Sequence, residues 1–121
     1  MALILFVDDD PLTLETLVKA AQLLGHEAVT ADNCKKAIQV AGERVPDLIF
    51  SDMRLADGDG IGLVTQLKRM ASTASIPVII LSASPEVGSV EGALAAGAIA
   101  YLDKPIRLVA LQGIIQEYAS S

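Results

Sequence analysis

The sequence is poor in the residues that form disulfides, bind soft metals or stack on nucleic-acid bases. Its 121 residues include one cysteine, one histidine and no tryptophan. A lone cysteine, Cys34, excludes a disulfide within the chain and is typical of a reducing compartment. Two tyrosines and two phenylalanines are too few for a platform on which bases could stack.

Positive charge and long apolar runs are also scarce. Nine Lys and Arg residues against fifteen Asp and Glu residues give a formal net charge of -6 and a pI near 4.5. A nucleic-acid partner would call for a basic face, so direct binding of nucleic acid is not expected. No uncharged stretch approaches the ~20 residues of a membrane span, and the N-terminus lacks the pattern of a signal peptide. We therefore expect a soluble, cytoplasmic protein without membrane association.

Short apolar segments rich in β-branched residues alternate with segments of helical periodicity. Strands without polar alternation are typical of a parallel sheet that helices cover on both faces. Five such alternations predict an α/β fold. The chain, residues 1–121, is expected to form a single domain, without room for a second one. The predicted strands are residues 3–7, 28–30, 48–51, 77–81 and 99–102, and the helical stripes begin at Leu14, Cys34, Ile61, Val87 and Leu108.

Several local features help to place the ends of these elements. Asp10 before Pro11 is typical of a helix N-cap with proline at the first helical position. Gly25 lies where the first helix should end. The third stripe extends to Ala71, and Pro77 is taken as the first residue of its strand. The segment "DGDGIG" at 57–62 resembles part of a calcium loop but lacks its glutamate, so its glycines indicate a turn. His26 is expected to be solvated and Cys34 to pack on its helix.

Polar side chains follow the carboxyl ends of four predicted strands. They are Asp8 and Asp9 after the first strand, Asp52 after the third, Ser82 after the fourth and Lys104 after the fifth. In open α/β sheets, ligands bind beyond the carboxyl ends of the strands. The sequence therefore predicts that these five side chains form one site.

The types of side chain indicate the chemistry of that site. Two carboxylates about 4 Å apart repel by about 4 kcal/mol at an effective dielectric constant near 20, so a cluster of acids needs a cation. Oxygen ligands favour Mg²⁺ or Mn²⁺ over zinc. Because Mg²⁺ commonly binds phosphate oxygens, a phosphoryl group is the expected substrate. Lys104 and Ser82 can bind its oxygens, and an aspartate can act as the nucleophile.

This pattern resembles the receiver domain of bacterial two-component response regulators, as in single receivers of the chemotaxis-regulator type. The resemblance covers essentially the whole chain, from Asp8 and Asp9 through Asp52 and Ser82–Ala83 to Lys104–Pro105. Each short motif is uninformative alone, but their order and spacing together are specific. The resemblance implies a flavodoxin-like, doubly wound (βα)5 fold with a parallel five-stranded sheet of order 2-1-3-4-5.

The resemblance also implies a role for each site residue. Asp52 would be the phosphoacceptor. Asp9, Asp52 and the backbone carbonyl of Arg54 would ligate Mg²⁺ or Mn²⁺, and Asp8 would hold a metal-bound water. Of the remaining site residues, Ser82 and Lys104 would bind the phosphoryl oxygens, and Ser82 and Tyr101 would form the switch. The resemblance also suggests a cis Lys104–Pro105 bond.

In function, the resemblance implies a phosphorelay module. A sensor histidine kinase or histidine phosphotransfer protein would donate the phosphoryl group, which slow autodephosphorylation would remove. Such a module catalyses only its own modification and is not an enzyme in the usual sense. An unknown output partner would bind the face of helix 4, strand 5 and helix 5, where Val109, Ile114 and Tyr118 are apolar candidates, and a homodimer is possible.

Departures from the family pattern leave two alternatives open. Ala56 stands where the family often has proline, and Arg54 and Ser84 occupy variable positions that influence phosphoryl lifetime. The first alternative is a receiver-fold scaffold that is never phosphorylated. The second is a phosphatase of the haloacid dehalogenase type, suggested by a D-x-D pattern at Asp8–Asp10. It is disfavoured because Pro11 and Leu12 replace the Gly-Thr that should follow.

Overall fold

The computed structural model describes residues 1–83 and 88–119, in which a parallel sheet lies between two layers of helices. The strands lie side by side in the order β2-β1-β3-β4-β5, and every neighbouring pair is parallel. This order confirms the predicted 2-1-3-4-5 topology. The five strands are β1 (Leu3–Val7), β2 (Glu27–Ala31), β3 (Leu48–Asp52), β4 (Val78–Ser82) and β5 (Ala100–Asp103).

Five helices connect or follow the strands, as the periodicity predicts. A small antiparallel hairpin, which the sequence did not indicate, pairs Arg54–Leu55 with Gly58–Asp59 between β3 and α3. Within residues 1–83 and 88–119, none of the helices has the length and apolar character needed to cross a bilayer. The helices are α1 (Pro11–Leu23), α2 (Cys34–Arg44), α3 (Gly60–Arg69), α4 (Ser89–Ala96) and α5 (Leu108–Ala119).

Each face of the sheet carries its own hydrophobic core. Alternate strand residues such as Leu5, Ile49 and Ile80 pack under α2, α3 and α4. The residues between them, including Phe6 and Phe50, pack under α1 and α5, and these two rings stack with centroids 5.5 Å apart. Because both faces are buried, the strands need no polar alternation. Since helices cover both faces, the predicted polar site lies at the carboxyl edge of the sheet.

The predicted ends of α1 are confirmed. Asp10 is its N-cap: the carboxylate accepts a 2.7 Å hydrogen bond from the Thr13 hydroxyl and a 3.2 Å hydrogen bond from the Leu12 N–H. These two bonds lower the pKa of Asp10. Pro11 occupies the first helical position, and Gly25 follows the helix with a φ of 86°. Only glycine adopts such a positive φ without steric cost.

Other predicted boundaries need correction. Helix α3 ends at Arg69, so Ala71 lies outside it, and the Thr73 hydroxyl closes that end by donating to the Leu67 carbonyl at 2.7 Å. Pro77 precedes β4 instead of starting it, although its carbonyl accepts a hydrogen bond from the Ile49 N–H. Strand β5 begins and ends one residue later than predicted. Val87 lies outside the described residues.

The histidine and the cysteine are both half-buried. His26 was expected to be solvated, but its Nδ1 accepts a 3.0 Å hydrogen bond from the Ala2 N–H and so ties the loop after α1 to the start of the sheet. Cys34 is the first residue of α2 and packs against the core, as predicted.

Candidate functional site

Three aspartates meet at the carboxyl edge of the sheet. Asp8 and Asp9 follow β1, and Asp52 ends the neighbouring strand β3. Each offers a carboxylate oxygen, and these oxygens lie within 4.8 Å of one another. Asp8 is only 3% exposed, Asp52 is half-buried and Asp9 is exposed. A cluster of carboxylate oxygens is the kind of donor set that a hard divalent cation prefers.

Lys104 reaches into this cluster from the loop after β5. Its Nζ lies 2.6 Å from Asp8 Oδ2 and 3.3 Å from Asp52 Oδ2, with 21% of the side chain exposed. The Lys104 N–H also donates to the Ser82 carbonyl at 2.8 Å, and the Lys104–Pro105 peptide is cis, as in the family that the sequence resembles. Lys104, which follows the edge strand β5, therefore links the ends of the neighbouring strands β1 and β3.

The pKa shifts describe the electrostatic balance of the cluster. Burial raises the pKa of Asp52, with a further contribution from the charge of Asp8, and Lys104 only partly opposes these effects. Burial alone would lower the pKa of Lys104, but its hydrogen bond to Asp8 and the charge of Asp52 raise it. Three carboxylates and one ammonium leave an excess of negative charge. A divalent cation would offset that excess, so the residues present fit Mg²⁺ or Mn²⁺.

Asp8 differs from Asp9 in how its oxygens are used. Asp8 Oδ1 accepts a 2.9 Å hydrogen bond from the Asp10 N–H, while Oδ2 binds Lys104. Both oxygens of Asp8 are thus engaged within the protein. This arrangement suits a residue that orients the site, whereas exposed Asp9 is the more accessible ligand.

Ser82 and Tyr101 lie on adjacent strands near the cluster. Ser82 ends β4 and is 5% exposed. Tyr101 pairs with Ile80 across β4 and β5, and its ring packs against the core beneath α2, α3 and α4. Its hydroxyl is buried and has no hydrogen-bond partner in the described part of the chain. Burying a hydroxyl without a partner typically costs about 1–3 kcal/mol. Ser84 lies outside the described residues.

Residues 53–60, hereafter the acid-site loop, connect Asp52 to α3. The loop closes at its base through a 2.8 Å hydrogen bond from the Gly60 N–H to the Met53 carbonyl. Arg54 pairs with Asp59 in the small hairpin, and the Arg54 N–H points to Asp52 Oδ1 at a long 3.5 Å. Asp59 caps α3 by accepting from the Gly62 N–H at 2.7 Å. The segment predicted as a turn is thus both a turn and a helix cap.

Sequence reasoning missed two features of this region. Asp57 was assigned only to the turn, but its carboxylate accepts hydrogen bonds from the Cys34 and Lys35 N–H groups at 2.7 and 3.1 Å, which lower its pKa. A cleft of about 270 Å³ beside Lys104, lined mainly by apolar side chains that include Leu12 and Ile106, was also missed. Both depend on residues far apart in the chain, and no local pattern indicates them.

Gly60 is where the acid-site loop approaches the sheet most closely, and Gly60→Ala is expected to destabilise the protein by about 1–2 kcal/mol. An added Cβ would lie 2.9 Å from Ile80 Cδ1 and 3.0 Å from the Asp52 carbonyl oxygen. Urea unfolding would measure the change. The control is Gly113→Ala in α5, where a Cβ meets nothing within 4 Å, so the higher helix propensity of alanine should stabilise by about 0.5–1 kcal/mol. Equal effects of the two substitutions would contradict this account.

The comparison with known families agrees with this geometry. Residues 4–116 match the model of the response regulator receiver domain. The chain belongs to the response regulator receiver family. The resemblance inferred from Asp8, Asp9, Asp52 and Lys104 is thereby confirmed at the level of the family.

Curated relatives support the same assignment. The receiver is 38% identical to the phosphate regulon transcriptional regulatory protein PhoB of Pseudomonas aeruginosa over 102 residues, which cover 84% of this chain and 44% of that protein. It is 36% identical to the KDP operon transcriptional regulatory protein KdpE of Escherichia coli over 112 residues, which cover 93% of this chain and 48% of that protein. The chain thus spans less than half of the length of either relative.

Solved structures resemble the receiver over nearly its full length. One is the receiver domain of the sensor histidine kinase PA1611 from Pseudomonas aeruginosa PAO1, with a magnesium ion coordinated in its active-site cleft. That structure has a TM-score of 0.90 and 28% identity, covering 99% of this chain and 98% of that one. A two-component response regulator from Clostridium difficile also has a TM-score of 0.90, with 29% identity, covering 98% of this chain and 95% of that one.

Proposed function

We propose that this receiver accepts a phosphoryl group on Asp52 from a phosphohistidine donor, in a reaction that depends on Mg²⁺ or Mn²⁺. The observation that carries the proposal is the bridge from Lys104 Nζ to Asp8 and Asp52, with an oxygen of Asp9 in reach of both acids. One cation, the Lys104 ammonium, already lies on the acceptor carboxylate, and the cluster of carboxylate oxygens beside it suits a second. Catalysis of phosphoryl transfer consists mainly of such positioning and charge neutralisation.

The ion would be held by Asp9, Asp52 and the Arg54 carbonyl, with Asp8 acting through a water. When bound, Mg²⁺ neutralises charge on the phosphoryl oxygens and orients them for in-line transfer. The match to the receiver family and the magnesium in the cleft of the PA1611 receiver support this choice of metal. The fit to this chain depends on the three carboxylates themselves.

The residues of the chain would divide the transfer between them. An oxygen of Asp52 attacks phosphorus, so that a P–O bond forms while the P–N bond to the donor imidazole breaks, and the electron pair of that bond returns to the imidazole. Lys104 then shifts from the Asp52 carboxylate to a phosphoryl oxygen, and the Ser82 hydroxyl donates to another. Slow attack by water on the same phosphorus would break the P–O bond to Asp52, regenerate its carboxylate and release inorganic phosphate. The domain thus modifies only itself.

Movement of Ser82 toward the phosphoryl group would draw Tyr101 inward, because these residues lie on adjacent strands. The Tyr101 hydroxyl, which has no hydrogen-bond partner among residues 1–83 and 88–119, supports a role in switching, since a new position would give it one. The output partner, unidentified here, would bind the face of α4, β5 and α5. Exposed apolar side chains on α4 and α5 support this choice: Val90, Leu94, Leu108, Val109 and Tyr118. Ile114, also expected on this face, is instead half-buried against the core. A homodimer through the same face is an alternative.

The proposed donor is a sensor histidine kinase or a histidine phosphotransfer protein, and both belong with a cytoplasmic receiver. Two relatives are named as transcriptional regulators, and one structural relative is part of a histidine kinase. We take residues 1–121 as one receiver domain. Each of the two regulators extends well beyond the part that matches this chain, so the similarity does not identify an output.

The test is intact-protein mass spectrometry after incubation with acetyl phosphate and Mg²⁺, with EDTA as the control. A single phosphoryl adduct that requires the metal is expected. No adduct, although Mg²⁺ binds, would contradict phosphorylation by a small donor and favour the scaffold alternative. Turnover of p-nitrophenyl phosphate would instead favour a phosphatase.

A further inference from the structure

The tip of the acid-site loop is attached to α2 by one side chain. Asp57 Oδ1 accepts a 2.7 Å hydrogen bond from the Cys34 N–H, and Oδ2 accepts a 3.1 Å hydrogen bond from the Lys35 N–H. These two amides begin α2 and have no acceptor within the helix. Asn33, the N-cap residue, satisfies a different amide, that of Lys36. The carboxylate thus joins segments more than 20 residues apart in the chain.

The cysteine side chain strengthens the same junction. Cys34 Sγ lies 3.8 Å from the Asp59 carbonyl oxygen, within range of a weak S–H hydrogen bond. Burial first, and then the charge of Asp57, raise the pKa of Cys34 to about 11, so the thiol keeps its proton at neutral pH. Gly58 faces the same sulfur, and a Cβ there would lie 3.3 Å from it. The start of α2 therefore contacts the loop through backbone, carboxylate and thiol.

The attachment lies where the hairpin of the loop is short. Its hairpin strands have two residues each, and an isolated two-stranded hairpin is marginally stable at best. At its base, the hydrogen bond from Gly60 to Met53 closes the loop, and Leu55 is buried. Between these points, the hairpin pairing sets the direction of the Arg54 peptide. Release of the tip would weaken the hairpin pairing and so allow the Arg54 peptide to vary in direction.

We propose that Asp57 is a positioning residue for the metal site, which holds the Arg54 carbonyl in place by tying the acid-site loop to the first turn of α2. The inference rests on the proposed function, in which that carbonyl is a metal ligand. It adds a residue that lies outside the cluster of acids and touches neither metal nor phosphoryl group. Residues that orient metal ligands typically change metal affinity by 10–100-fold when they are removed.

A matched control lies at the opposite edge of the sheet. Asp47 Oδ2 accepts a 2.8 Å hydrogen bond from the Leu3 N–H, at the start of β1. Asp57→Ala and Asp47→Ala each remove one acid that accepts from a distant backbone amide. Of these two residues, only Asp57 belongs to the acid-site loop. Comparing the two variants therefore separates an effect on the position of the loop from an effect on the stability of the fold.

The experiment measures Mn²⁺ affinity by electron paramagnetic resonance, at a temperature where circular dichroism shows each variant to be folded. We expect Asp57→Ala to weaken Mn²⁺ binding about tenfold and Asp47→Ala to leave it unchanged. Asp57→Asn should give an intermediate affinity, because its amide oxygen still accepts one hydrogen bond while its charge is lost. Amide exchange at Cys34 and Lys35 should accelerate in the alanine variant.

Each result decides between the alternatives. Equal affinities of Asp57→Ala and Asp57→Asn would show that only the charge matters, and would overturn the positioning role. Wild-type affinity in Asp57→Ala would overturn it as well. If wild-type protein bound no Mn²⁺, or if Asp52→Asn bound as tightly as wild type, the proposed metal site itself would be wrong. The inference alone therefore fails if wild-type protein binds Mn²⁺, if Asp52→Asn weakens that binding and if Asp57→Ala does not change it.

Discussion

Asp52→Asn is expected to abolish the Mg²⁺-dependent phosphoryl adduct, with labelling by acetyl phosphate at least about a thousandfold slower than in wild type. An amide is a poor nucleophile, and the change removes one of the three carboxylates that face the metal. The fold should survive, because asparagine has nearly the same shape. Burial raises the pKa of Asp52, so the negative charge of Asp52 contributes little to the stability of the metal-free protein. Intact mass after incubation measures the result.

The control for this substitution is Asp103→Asn. Asp103 is exposed, ends β5 and directly precedes Lys104. Asp103→Asn removes one negative charge, as Asp52→Asn does. It should be labelled at close to the wild-type rate. Labelling of Asp52→Asn with the wild-type rate and metal dependence would place the acceptor elsewhere, with Asp8 and Asp9 as the next candidates.

Lys104→Met is expected to have the second largest effect, because one cation serves two acids. Its Nζ contacts Asp8 at 2.6 Å and Asp52 at 3.3 Å, and the Asp8 side chain is only 4% exposed. Removing one partner of a fully buried ion pair costs about 3–5 kcal/mol, and partial exposure of the lysine reduces this to about 2 kcal/mol here. Labelling by acetyl phosphate should also fall about 100-fold, since a donor to the phosphoryl oxygens is lost. Urea unfolding and mass spectrometry measure the two effects.

Magnesium provides a further readout for Lys104→Met. The variant has an uncompensated cluster of acids, so Mg²⁺ should stabilise it more than it stabilises wild type, through preferential binding to the folded state. Lys19→Met is the control: Lys19 pairs with Glu15 at 3.0 Å on the surface of α1 and is 69% exposed, so its loss should change stability by less than about 0.5 kcal/mol. Equal destabilisation by the two substitutions would show that the Lys104 bridge contributes no more than a surface pair.

The clustering of Asp8, Asp9 and Asp52 with Lys104 could be predicted from the sequence because topology limits where strands end. The strands are mainly apolar, and polar residues at or just after their carboxyl ends lie at the same edge of a parallel sheet. Asp8, Asp52 and Lys104 are therefore brought together by strand direction alone, whatever lies between them. Errors fell at the ends of elements, such as Ala71 and Pro77, where capping contacts decide the boundary. They also fell where distant residues meet, as at His26, which is half-buried and hydrogen-bonded to Ala2 instead of solvated.

The alternation of strands and helices and the residues that follow each strand are local properties of the chain, so the sequence itself determined the fold class and the cluster of acids. The strand order followed from the resemblance to the receiver family that those residues carry. Only the tertiary structure decided which oxygens Lys104 bridges, that the Tyr101 hydroxyl is buried without a partner among the described residues, and that Asp57 caps α2. These features join residues that are distant in the chain. Their geometry depends on how helices and loops pack against the sheet, and no periodicity encodes a contact of that kind.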